Sequence, residues 1–521
     1  MREGSHSLFY VNAYLNITIT IIINLKQGIM KVKNFFMMAA VGLMAVVSLS
    51  SCDDILGEWD KPAGSGAVAP QNPQTTTTIT LNLDGNLFNN DKLYLLSGDA
   101  AINIATITEG APVTITSSDE NVITIDADGN VVPVGPGTAT ITIKVTENSE
   151  YTGATETVTI VVGRKVSLAD ETGTEFVAQN GDQITGTAPN TMHLSVPDGA
   201  LVRLKDATIK PTSGTATAAI VCAGDATIIL EGENVVQGMS NKAGLQVGPE
   251  GKTLIIDGAG SIEAKCNATY TNYSAAGIGS NKDESCGNIT IKNGSITAKA
   301  GKGAAIGSGW SGSCQDILIE GGTVIAQVEQ NDNACGAGIG SGFRGSCGNI
   351  TITGGDVTAS TKTTNVLGHP HGAGIGTSGF DSSCGDITIS GGNISAICYF
   401  NTGVSGGGAG IGTGYNSSEH TNQTCGNIII SGGKIFAKGG QGSAGIGLGH
   451  ISGSTMTTTI GNIVVSGGVV NAIKNTSSGD DIGKGIGGGI INAGTVTVAS
   501  SVTYNGTKGY EATATGYNMV P

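Results

Sequence analysis

Residues 286–298 read Cys-Gly-Asn-Ile-Thr-Ile-Lys-Asn-Gly-Ser-Ile-Thr-Ala, and the phrase returns at Cys314, Cys347, Cys384 and Cys425, then with Ile460 in place of the cysteine. Each copy alternates apolar and polar residues, as in Ile350-Thr351-Ile352, breaks at a glycine pair such as Gly354-Gly355, and resumes as Val357-Thr358-Ala359. That pattern predicts two short strands with a bend between them. A second phrase, Ala-Gly-Ile-Gly or a close variant, precedes each copy, centred on Ile278, Ile306, Ile339, Ile375, Ile411, Ile446 and Ile486.

Those isoleucines are separated by 28, 33, 36, 36, 35 and 40 residues, a period that in strand-rich, glycine-punctuated sequence means stacked coils rather than a closed globule. The leucine frame of leucine-rich repeats is missing, and so are the Gly-His and Trp-Asp marks of propeller blades. What remains is a right-handed parallel β-helix. Cysteine to glycine pair is constant at seven residues from Cys314 to Gly321, Cys347 to Gly354, Cys384 to Gly391 and Cys425 to Gly432. Insertions fall elsewhere, at 360–371, 398–407 and 415–424, as expected of loops outside a fixed wall.

Composition agrees. The 521 residues suggest more than one domain, and 84 glycines with 13% charged and 4% aromatic residues depart from the globular average without a collagen triplet. A balance of 26 basic against 41 acidic residues, net −15, argues against nucleic acid and anionic lipid headgroups as partners.

Residues 1–52 read as an upstream extension and a signal peptide. Lys31 and Lys33 lead an apolar run from Phe35 to Val47, and Leu49-Ser50-Ser51-Cys52 resembles the lipobox before a lipidated cysteine. The run is too short for a membrane span, and a start at Met30 is expected. Asp53 and Asp54 resemble the acidic export signal of Bacteroidetes surface lipoproteins, which implies an outer-membrane protein, lipid-anchored at Cys52 and facing outward. Residues 53–77, with Pro62, Pro70 and Pro73, read as a flexible tether.

Residues 78–163 form a separate strand-rich unit, with apolar or alternating runs at 79–83, 122–125, 131–134 and 138–145 and turns at Asp128-Gly129 and Gly135-Pro136-Gly137. Ser117-Ser118-Asp119, Val122, Ile125-Asp126, Gly129 and the run from Gly135 to Ile141 resemble the group 2 bacterial immunoglobulin-like family, with Ile115-Thr116 where an aromatic is usual. The resemblance implies an immunoglobulin-like β-sandwich acting as a spacer. The expected fold class is therefore all-β, a sandwich followed by the β-helix of residues 165–521, with the last residues closing its end. Residues 165–500 are also similar to glycine-rich Bacteroidetes repeat proteins akin to carbohydrate-binding β-helical modules, through Gln179-Asn180-Gly181-Asp182, Asp225 to Leu230 and Leu254 to Gly260.

Two ladders are candidates for chemistry. The phrase cysteines should stack about 4.8 Å apart with side chains parallel, which neither converges on a metal nor favours disulfides. They read as small buried apolar groups, with occasional disulfides the rival reading. Trp310, Phe343, Phe380 and Tyr415 follow their isoleucines by four or five residues, with Lys282 and His450 at the two ends. Such rings either stack on one another or form a saccharide platform, and these four are the candidate ligand-binding residues.

No catalytic or metal residue is assigned and no cofactor is expected, calcium being the one ion left open. Arg344 with Asp316, Asp381 and Asp386 is the nearest approach to a lyase constellation, and Asp480-Asp481 resembles the paired aspartates of polygalacturonases without their accompanying motifs. His369-Pro370-His371 is a weak metal pattern in an inserted loop. The expectation is a non-catalytic adhesin for an extracellular glycan or host matrix, touching membrane only through its lipid. A polysaccharide-degrading β-helix enzyme is the alternative from another class, and a plain stalk the third.

Overall fold

The computed structural model describes residues 73–515 apart from 86, 214–216, 240, 267–274, 331–335, 364–371, 400–405, 417–420, 453–454, 476–479, 484–489, 500–501, 505–506 and 509–511. Cys52 with its signal segment, the tether up to 72, and His369-Pro370-His371 lie outside the described residues.

From Ile278 onward each coil is built from the same four pieces, the Ser-Cys wall beginning at Ser285–Cys286. A two-residue Ile-Gly strand is followed by a Ser-Cys strand, then by the two limbs of the alternating phrase. Like pairs with like in parallel, so the pieces form three walls of 11, 7 and 23 strands, the last holding both limbs of every coil. This is a parallel β-helix, and consecutive parallel strands joined by crossovers are right-handed almost without exception.

Register is kept residue for residue. Ile317, Ile350, Ile387, Ile428 and Ile463 form one file, and Val324, Val357, Ile394, Ile435 and Val470 another. Period-2 alternation sends these residues inward, where all are buried, and leaves Thr351, Thr358 and their equivalents facing out. The interior is one continuous apolar column. The Ile-Gly file runs through Ile278, Ile306, Ile339, Ile375, Ile411 and Ile446 to Ile482.

That last member corrects the sequence reading, which placed Ile486 there. Ile482-Gly483 pairs with Ile446-Gly447, so the final interval is 36 residues, in line with its predecessors, and Ile486 lies outside the described residues. The glycine that follows each isoleucine of this file sits at φ between +128° and +143° from Gly279 to Gly447. Only glycine adopts that conformation without strain. At the far end Thr495–Val498 pairs antiparallel with Ala512–Thr515, which breaks the parallel stacking.

Residues 78–163 make a five-stranded sheet in the order Leu87–Asn89, Lys92–Leu96, Ala154–Gly163, Gly137–Val145, Val113–Ser117, together with the pairs Ile79–Leu81 with Ala105–Ile107 and Ile123–Ile125 with Val131–Pro133. The three sheets share a core of Leu93, Leu95, Ile104, Ile123, Ile141, Ile143, Ile160 and neighbours, against which Ile115 packs.

Strand Ala154–Gly163 runs into the first helical strand, Lys165–Ser167, with one residue between them. Here the Gln179-Asn180-Gly181-Asp182 motif has a physical role. The fully buried Asp182 carboxylate accepts from the Arg164 backbone N–H at 3.0 Å, from its Nε at 3.1 Å and from the Gln179 N–H at 2.7 Å. Gly163 lies so close to Gly181 that a Cβ on it would meet the Gly181 carbonyl oxygen at 1.9 Å. Tyr94 and Val161 cover Leu201 and Ile229 on the outside of the first coils, and Arg203 donates to the Tyr94 carbonyl at 2.6 Å. The two parts share a small core of their own.

Candidate functional site

The cysteines stand in file. Cys286, Cys314, Cys347, Cys384 and Cys425 are in register on consecutive coils, followed by Ile460 and Ala493. All five are buried and free, with Cys384 Sγ and Cys425 Sγ 3.4 Å apart. The hydrogen bond from Cys286 pushes the Cys314 thiol well up. Neighbouring thiols and then burial do the same for Cys347 and Cys425. Cys266 and Cys398 occupy another file, four coils apart, with Ala300, Val328 and Thr361 between them. Among the described residues no group of three or more His, Cys, Asp or Glu is placed to hold a metal.

Two hydrogen-bonded ladders frame these thiols. Two positions after each cysteine and after Ile460, Asn288, Asp316, Asn349, Asp386, Asn427 and Asn462 each use Oδ1 to accept the backbone N–H of the equivalent residue one coil on, at 2.7–3.1 Å. After each Ile-Gly, the hydroxyls of Ser280, Ser308, Ser341, Thr377 and Thr413 accept a backbone N–H of the next coil at 2.8–3.1 Å. Backbone groups at the corners are thereby satisfied where no strand pairs them. The ladders were missed in the sequence, although the Asn or Asp two positions after each phrase cysteine was visible there.

They also change the standing of the acidic residues. Asp316 and Asp386 belong to the corner ladder, which engages Oδ1 of each, and neither lines the cleft that carries Arg344. Asp481 likewise accepts the Lys474 N–H at 2.9 Å.

The aromatic positions line up and touch. Trp310 and Phe343 meet edge to face with centroids 5.1 Å apart, as do Phe343 and Phe380, whereas Tyr415 lies flat against His450 at 5.2 Å. Phe343 and Tyr415 are 8% and 5% exposed, so their faces are spent within the stack, while Trp310 and Phe380 are half-buried. Lys302 Nζ covers the Trp310 ring at 4.8 Å, and the Arg344 guanidinium lies over Phe343 at 5.5 Å.

Burial lowers the His450 pKa from its ordinary 6.5, and its Nδ1 has no partner among the described residues. The fold thus favours the neutral ring, so the unfolded chain binds the extra proton first and stability falls as the pH drops below about 6.5. Melting temperature should therefore decline less steeply from pH 7 to 5 in His450→Phe than in the parent. Parallel profiles would show that the ring carries no such linkage.

Immediately after the aromatic positions the surface opens into a cleft of about 320 Å³ spanning four coils. Its floor carries the hydroxyls of Ser285, Ser313, Ser346 and Ser383, the outward partners of the thiol file, and its rim carries Asp283, Glu284, Arg344 and Asp381. A row of hydroxyls at one strand spacing, with ionised groups above it, offers hydrogen bonds to a long polyhydroxylated ligand lying along the rod.

Comparison with known proteins agrees with this architecture. Residues 289–310, 317–343, 350–379 and 428–450 match the family model described as a beta helix repeat. No curated protein matches the chain. No solved structure matches it either.

Proposed function

We propose that this chain is a surface lipoprotein, anchored through Cys52 and carried on a tether and an immunoglobulin-like spacer, whose β-helix binds an extracellular glycan without cleaving it. The observation that carries the reading is the serine-floored cleft that runs along the coil axis beside the aromatic stack. A linear glycan laid there meets hydroxyl, carboxylate and guanidinium groups coil after coil, with the half-buried edges of Trp310 and Phe380 adjoining. The redeployment of Asp316 and Asp386 into the corner ladder weighs against a lyase centre on Arg344.

Retention of the purified protein on an array of plant, microbial and host glycans and matrix proteins tests this. Binding to at least one class, with no unsaturated or reducing ends released, is the expected result, and Trp310→Ala should weaken it severalfold. Released ends would replace the binder with an enzyme, and absence of retention on every surface would leave a stalk. In cells, labelled fatty acid should enter the parent protein and not Cys52→Ala.

A further inference from the structure

The charges around the cleft are unequal in what they already hold. Glu284 accepts from Lys242 Nζ at 2.6 Å and from Asn281 Nδ2 at 2.8 Å, Asp283 is paired with Lys282, and Asp381 Oδ1 accepts the Asn422 N–H at 2.9 Å. Arg344 differs. Its exposed guanidinium rests on the Phe343 ring and has neither an ion pair nor a hydrogen bond among the described residues. Two of the three acids on the rim are paired with lysines, Asp381 holds a backbone N–H through one oxygen, and among the described residues of the rim Arg344 is the cation without an ion pair.

From this we infer that the ligand of the cleft is an acidic glycan, one bearing carboxylate or sulfate groups, and that Arg344 receives the anionic group while the serine row binds neutral hydroxyls on either side; the inference rests on the glycan-binding reading above. A planar guanidinium supported from beneath by a ring offers its fork of donors outward, the geometry that suits a two-oxygen anion. Selectivity follows from the rest of the molecule. A chain of net charge −15 repels polyanions at long range, so their retention requires a local site.

The test compares acidic polymers with neutral parents on the full-length protein: dextran sulfate against dextran for sulfate, polygalacturonate against galactan for carboxylate. At 0.15 M salt, retention of at least one acidic member over its parent is expected. Arg344→Gln should weaken that retention about tenfold to a hundredfold, the range for a hydrogen bond to a charged group, and Arg344→Lys should restore part of it. Arg344 is exposed, so an unchanged melting temperature serves as the folding control. Preference for sulfate or carboxylate alone supports the inference and identifies the anion. Equal retention of acidic and neutral polymers, or an Arg344→Gln protein that binds acidic polymers as the parent does, overturns it while leaving glycan binding intact. Retention of none of the four, nor of any arrayed glycan, overturns both.

Discussion

Gly376→Ala should cost about 4 kcal/mol, opening the coils around residue 376 before the rest of the rod. The glycine sits at φ +129°, and a Cβ there would meet the Gly412 carbonyl oxygen at 2.0 Å. That oxygen is backbone in the next coil, and it cannot swing aside without shifting the Ile-Gly wall. Left-handed strain of about 1–3 kcal/mol adds to an overpacking cost of similar size. Gly173→Ala provides the control, because Gly173 also has a positive φ, +105°, but a Cβ there meets nothing within 4 Å. It should lose about 1–2 kcal/mol, the strain alone. Since stacked coils need not unfold in one step, amide exchange is a better measure than a single midpoint. Protection should fall first in strands Ile339–Gly340 to Ile446–Gly447. A loss no larger than that of Gly173→Ala would refute the steric argument.

The second large effect is expected at the start of the helix. Asp182→Ala removes the acceptor for two backbone N–H groups and the Arg164 side chain at once. Arg164, whose pKa is raised chiefly by its hydrogen bond to Asp182, is left half-desolvated without a counter-charge. Breaking a fully buried pair costs about 3–5 kcal/mol, and a third of the Arg164 side chain stays in water, so about 2–3 kcal/mol is expected. Loss of the junction should also allow protease cleavage near Gly163 without unfolding the later coils. Asp182→Asn, which keeps one acceptor oxygen, should recover part of the stability. An Asp182→Ala protein within 0.5 kcal/mol of the parent, the spread of ordinary surface substitutions, would mean that the junction is held by its apolar contacts alone.

The coil was legible because its signal is local and repeated. Ile350-Thr351-Ile352 with Gly354-Gly355 dictates strand, bend and inward face without knowledge of the neighbours, and the phrase cysteines supply the register directly. The Ile486 reading failed because two Ile-Gly dipeptides lie four residues apart, and the better match to the phrase was not the one in file. The cleft was harder to see. Apart from Glu284, its rim comes from one position on four coils, occupied by Asp283, Ser311, Arg344 and Asp381, which share no chemistry and no constant spacing. Asp316 and Asp386 beside Arg344 looked equally suggestive. Whether a carboxylate faces solvent or holds the next coil's N–H is set by its place at the corner, and composition is blind to it.

The side-chain ladders carry an implication for how such a rod changes length. Each Asn or Asp grips its successor and is gripped by its predecessor in the same manner, so one regular coil is nearly interchangeable with another. Recombination between copies could then insert or excise a whole turn, and the cut ends would rejoin as complementary surfaces. Lengthening of this kind moves the far tip outward by one strand width and preserves the chemistry of every remaining floor, giving a lineage a graded ruler.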